Sequence, residues 1–98
     1  MAQHELESFG GYRKADELFD FVASDMASLR KFPECYRLIS QQVGSADSIC
    51  ANIEEGYGRE SSKEYAHFLI IARASARETR GRYHRLRHWL SAEIITLR

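Results

Sequence analysis

The chain has 98 residues and a mass of 11.3 kDa, with 44% hydrophobic and 29% charged side chains. That is room for one domain with a modest core, and it excludes both a disordered chain and a two-domain protein. Formal net charge is zero, yet residues 1–58 carry five basic against ten acidic groups and residues 59–98 nine against four, an asymmetry that suits either a polyanion-binding surface or self-association through opposite faces.

Over 14–31, Leu18, Phe19, Val22, Met26 and Leu29 fall on one arc at about 100° per residue, opposite Asp16, Glu17, Asp20, Ser24 and Lys31. This predicts an amphipathic first helix. Phe32-Pro33 ends it, because proline disfavours helical backbone in the residue before it and suits the first turn of the next helix. The second helix is expected over 34–55, where Ile39, Val43, Ala46, Cys50 and Ile53 repeat at 4-3-4-3 spacing as a core seam. Cys50 belongs to that seam and reads as a buried, inert thiol. Gly56-Tyr57-Gly58 supplies the stop and turn.

Ser61 and Glu64 have the spacing of a capping box that opens a third helix over 61–90. Its apolar face is Tyr65, Phe68, Ala72, Ala76, Thr79, Tyr83, Leu86 and Leu90. The residues from Leu90 onward can start a fourth element but hardly complete one. No strand alternation is present. The expected fold is an all-α antiparallel helical bundle of the four-helix-bundle type, one domain over 1–98, with the fourth helix short or missing. Such a bundle leaves apolar surface that a monomer covers poorly, so an oligomer is expected.

No apolar run approaches the roughly 18 residues of a membrane span. The polar start over residues 1–7 argues against a secretory signal. Two cysteines are too few for a disulfide scaffold, so a reducing cytoplasm is the expected compartment.

Arg73, Arg77, Arg80, His84 and Arg87 repeat at 4-3-4-3 spacing within about ±40° of one line, opposite the apolar face of the third helix. Arg82 and Arg85 widen the stripe, and Glu78 is the only acid between Arg73 and Arg87. Arginine presents a planar fork that matches phosphate oxygens, so the stripe is the candidate nucleic-acid surface, with RNA as the expected ligand. The competing account has Asp16, Glu17, Asp20 and Asp25 neutralise it across a subunit interface. On that account the protein is an interaction scaffold.

Asn52, Glu55, Gly56, Gly58, Arg59 and Glu64 surround the second turn. Glu54 and Glu55 point about 100° apart and do not converge as an acid–base pair. The expected roles are structural: Asn52 and Glu55 hold the turn and Arg59 pairs with a carboxylate. His84 and His88 have the spacing of two metal ligands, but Arg80, Arg85 and Arg87 crowd the site with positive charge, so no metal is expected. Among aromatic groups able to stack on bases, Tyr57, Tyr83 and Trp89, Tyr83 falls on the apolar face and Trp89 reads as a subunit contact. Gly56-x-Gly58 follows no strand, which removes a dinucleotide site. No catalytic residue, metal or cofactor is expected, and the protein reads as a non-enzyme.

The stretch Ala51-Asn52-Ile53-Glu54-Glu55-Gly56-Tyr57-Gly58-Arg59, followed by Ser62-Lys63-Glu64-Tyr65 and Phe68-Leu69-Ile70-Ile71-Ala72, resembles a known family. Phe32-Pro33 and Tyr36-Arg37-Leu38 fit the same pattern. The family comprises four-helix-bundle proteins encoded by intervening sequences within bacterial large-subunit ribosomal RNA genes, related to the accessory variability proteins of diversity-generating retroelements. The resemblance implies a ring, typically a homopentamer. For the retroelement relatives it also implies a basic nucleic-acid surface and a reverse transcriptase partner. Two departures stand out. Ala74-Ser75 replaces a Gly-Ser pair, and an Arg-rich segment from Arg77 to Arg87 replaces an apolar-acidic one.

Overall fold

The apolar seams become helix faces in the computed structural model, which describes residues 9–98. Four helices follow one another: α1 Gly10–Ala27, α2 Tyr36–Tyr57, α3 Ser62–Arg85 and α4 Ala92–Leu97. Short 3-10 segments, Pro33–Cys35 and Leu86–His88, precede α2 and follow α3. No strand occurs among the described residues. The fold is an all-α bundle of three long helices with a short fourth, and its short connections make sequence neighbours antiparallel. The polar segment over residues 1–7 lies outside the described residues.

The boundaries move from those expected. α1 starts at Gly10 rather than at 14, although neither Gly10 nor Gly11 favours a helix. Phe9 offsets this: its ring folds over Gly11, where a Cβ would come within 3.0 Å, and packs on Tyr57 at 5.3 Å between centroids. α1 ends at Ala27, short of 31, because the chain tightens into turns before Phe32, whose extended backbone Pro33 requires. The tightening keeps Leu29 in the core at 1% exposure. α3 ends at Arg85 rather than at 90, and the 3-10 segment that follows buries both Leu86 and Leu90.

Val22, Met26, Leu29, Ala46, Tyr83 and Leu86 belong to one core cluster. Ala15, Ile49, Cys50, Ile53 and Ala72 form a second, nearer the α2–α3 turn. The two thiols are free and buried. Burial, aided by Asp16 and Glu54, pushes Cys50 up to about 11, so it stays a neutral packing group.

α2 and α3 share the most extensive helix–helix contact among the described residues. The surfaces that meet there are small and hydroxylated. Ser75 Oγ donates to Ser48 Oγ at 2.8 Å, Ser45 Oγ and Thr79 Oγ1 lie 2.8 Å apart, and Gln42 Nε2 donates to the Thr79 carbonyl at 2.8 Å. Small side chains let two helices close in, and their hydroxyls must then satisfy one another. Gly56 extends the approach to the turn, where a Cβ would sit 3.3 Å from Phe68 Cβ. No described residue has positive φ, so Gly56 and Gly58 provide room rather than left-handed backbone.

Candidate nucleic-acid interface

Arg73, Arg77, Arg80, His84 and Arg87 are all exposed. The buried side of α3 carries Ala72, Ser75, Thr79 and Tyr83, so helical rotation leaves the five cations on the solvent side. The two ion pairs among the described residues are Arg59–Glu55 and Arg98–Asp25. None of the five takes part in either. Arg87 Nη1 donates to the His84 carbonyl at 2.8 Å, which holds its stem along the end of α3 and leaves the rest of the fork to solvent.

Arg82 corrects the expected stripe. It turns inward at 8% exposure, and its Nη1 donates to Gln42 Oε1 at 2.8 Å, to Ser45 Oγ at 2.9 Å and to the Gln41 carbonyl at 3.3 Å. Its Nε is buried with no partner. Every acceptor is neutral, so the buried guanidinium keeps its full positive charge. Burial and the neighbouring Arg85 both lower its affinity for the proton, and Glu78 opposes them. The rotation that aims Arg80 and His84 at solvent aims Arg82 at α2.

Asp25 corrects the competing account. It is 5% exposed and accepts from Tyr83 Oη at 2.6 Å, from Arg98 Nε at 2.9 Å and from Arg98 Nη2 at 3.2 Å. A carboxylate so engaged within its own chain does not neutralise a neighbour's arginines. Asp16, Glu17 and Asp20 remain exposed. Tyr83 is buried and has its phenol raised by burial and by Asp25. Arg98 has its own value raised by its hydrogen bond to Asp25.

Around the second turn, Ser61 Oγ accepts from the Glu64 amide at 3.1 Å, closing one half of the capping box. Arg59 pairs with Glu55 one turn away and lies 4.9 Å over the Phe68 ring. Asn52 does not reach the turn. Its Nδ2 donates backward to the Ser48 carbonyl at 2.8 Å and to Ser48 Oγ at 3.0 Å, one helical turn earlier. Glu54 accepts from Tyr12 Oη at 2.5 Å, which ties α1 to α2. Tyr57 packs between Phe9 and Tyr65.

Sequence periodicity missed one grouping. Leu38 of α2, Arg85, Arg87, His88 and Trp89 line a cleft of about 370 Å³ at the end of α3. A regular helix fans positions 85 to 89 around its axis. The cleft forms where α3 gives way to the 3-10 segment over Leu86–His88, against Leu38 of α2. The break at Leu86 leaves no mark in an apolar pattern that continues to Leu90. His84 and His88 no longer share a regular helix, and His88 sits edge-on to Trp89 at 5.9 Å. No group of three or more metal-ligating side chains occurs among the described residues. No helix among them is long and apolar enough to cross a membrane.

The family model for the 23S rRNA-intervening sequence protein matches residues 7–90. No curated protein and no solved structure matches the chain.

Proposed function

The chain belongs to the 23S rRNA-intervening sequence protein family, and we propose that it is a non-enzymatic RNA-binding accessory protein that docks phosphates on the solvent face of α3. One observation carries the reading: Arg73, Arg77, Arg80, His84 and Arg87 share an exposed face and none forms an ion pair with an acidic side chain among the described residues. Unneutralised cations on one helix face release counterions when they meet a polyanion. Assembly into a homo-oligomeric ring, with five subunits the number the resemblance favours, would multiply that face around an axis. Its place is the cytoplasm, and a protein that handles RNA, such as a reverse transcriptase, is the partner this reading brings. No catalytic group, metal or cofactor enters it.

The test is native mass measurement with and without RNA, together with the salt dependence of RNA affinity. The parent should form an oligomer that takes up RNA at low salt. Replacing Arg77, Arg80 and Arg87 by Gln should lower the slope of log affinity against log salt by about 2, at roughly 0.7 per single-strand phosphate, and leave the oligomer whole. The scaffold alternative keeps the exposed Asp16, Glu17 and Asp20 of a neighbouring subunit as acidic partners for α3. Disassembly of the triple variant, with no RNA uptake by the parent, would establish it instead. An 11 kDa species at all concentrations would remove the ring.

A further inference from the structure

The cleft at the end of α3 differs in chemistry from the exposed stripe. A stripe of guanidinium groups offers charge alone. Here an indole, half-buried and so held in place, stands beside two exposed arginines and an imidazole, with Leu38 of α2 as the apolar wall. None of the lining residues is acidic. The volume, about 370 Å³, is near the lower end of the roughly 300–1,000 Å³ typical of small-molecule sites, which suits one nucleotide rather than a larger ligand.

A second observation points the same way. Arg82 lies on α3 one turn before Arg85, and its hydrogen bonds reach Gln41 and Gln42 of α2, one turn beyond Leu38. Its charge is felt at Arg85 and meets no carboxylate in any of its hydrogen bonds. Arg82 is thus a fixed positive charge one helical turn from Arg85 that no hydrogen-bonded carboxylate neutralises, with Glu78 its acidic neighbour on α3. An anion arriving at the cleft gains from Arg82 without touching it, because the intervening protein screens poorly.

We propose that this cleft takes one unstacked base of single-stranded RNA against Trp89, with the flanking phosphates on Arg85 and Arg87. The proposal rests on the nucleic-acid reading and narrows it to unpaired RNA. A duplex can present phosphates to the stripe but cannot deliver a base to the indole while its bases stay paired. Base–aromatic stacking also tolerates any base, so the site selects strand state rather than sequence.

Trp89 is the one tryptophan of the chain, so its emission reports directly on the site. Titration of the full chain with a ten-nucleotide oligoadenylate should quench that emission saturably, and an RNA duplex of equal length should bind without quenching. Trp89→Leu should weaken oligoadenylate binding roughly tenfold, followed by a labelled oligonucleotide, and spare duplex binding. Arg85 is exposed, so Arg85→Gln keeps the fold should Trp89→Leu disturb it; it should weaken the single strand several-fold while preserving helical content. Salt-sensitive oligoadenylate binding with unchanged emission, and an Arg85→Gln variant that binds like the parent, would overturn the pocket and leave the RNA reading standing. Absence of binding to either RNA would overturn both. An emission shift that follows protein concentration alone would assign the cleft to a second copy of the chain and overturn the pocket.

Discussion

Arg98 and Arg82 face opposite partners across the bundle, and they are held in opposite ways. Arg98 reaches α1, where Asp25 receives two of its donors and Tyr83 Oη fills the carboxylate further. Arg82 reaches α2, where amide, hydroxyl and carbonyl oxygens receive one of its nitrogens and Nε has nothing. Both side chains are largely withdrawn from water. The first arrangement closes a charge within the fold and binds α4 to α1. The second retains a charge that none of its hydrogen-bond partners offsets. Burial alone therefore does not reveal what a charged residue does; the charge of its partners does.

Breaking the closed arrangement should have the largest effect. Arg98→Ala leaves the Asp25 carboxylate buried with Tyr83 as its remaining donor, and should cost roughly 3 kcal/mol in urea unfolding. Arg82→Met removes a cation that no hydrogen-bonded carboxylate neutralises and strands mainly Gln42 Oε1, so the loss should be about 1–2 kcal/mol. Adding Gln42→Leu should return part of it, because the apolar pair strands no polar atom of its own while the Thr79 carbonyl loses the Gln42 Nε2 donor. Equal costs for Arg98→Ala and Arg82→Met would break the comparison.

The smallest effect belongs to an exposed tie elsewhere on α1. The hydrogen bond to Glu54, with burial second, pushes the Tyr12 phenol up to about 12, against about 10 for a free tyrosine. A value raised by folding means the bond contributes fully below about pH 10 and is lost as pH rises toward 12. Tyr12→Phe should flatten the alkaline decline of stability in that window and cost under about 1 kcal/mol at neutral pH. Tyr83, raised by burial and Asp25, and the buried thiols Cys50 and Cys35, raised by burial, contribute to the decline that remains.

The helices were legible because each buries an apolar arc wide enough to dominate its period: Ala15, Val22 and Met26 on α1, Ala46, Cys50 and Ile53 on α2. The α2–α3 seam was less so. Ser45, Ser48 and Ser75 read as surface in a hydropathy pattern, and although Thr79 falls on the apolar face of α3, nothing local shows that these hydroxyls pair with one another across helices. Arg82 was misplaced for the same reason, since position on a helical projection cannot register that Gln42 and Ser45 will receive it. The five cations of the outer face were placed by rotation alone. The cleft was invisible because it depends on where α3 gives way to 3-10 geometry, and Leu86 and Leu90 continue the apolar spacing through that point.

The distance along the chain between contacting groups sets an order of assembly. α2 and α3 are joined over residues 58–61, so Ser48 and Ser75, 27 positions apart, meet by folding a local hairpin. Asp25 and Arg98 are 73 positions apart. Closing a loop costs entropy as the logarithm of its length, and the longer closure alone is worth about 1 kcal/mol more. Once α2 and α3 have docked, the same two residues are separated by a rigid rod rather than by slack chain, and most of that entropy has already been lost. The hairpin thus acts as the template on which α1 and α4 find each other, and the Asp25–Arg98 contact comes last, as a latch rather than a nucleus.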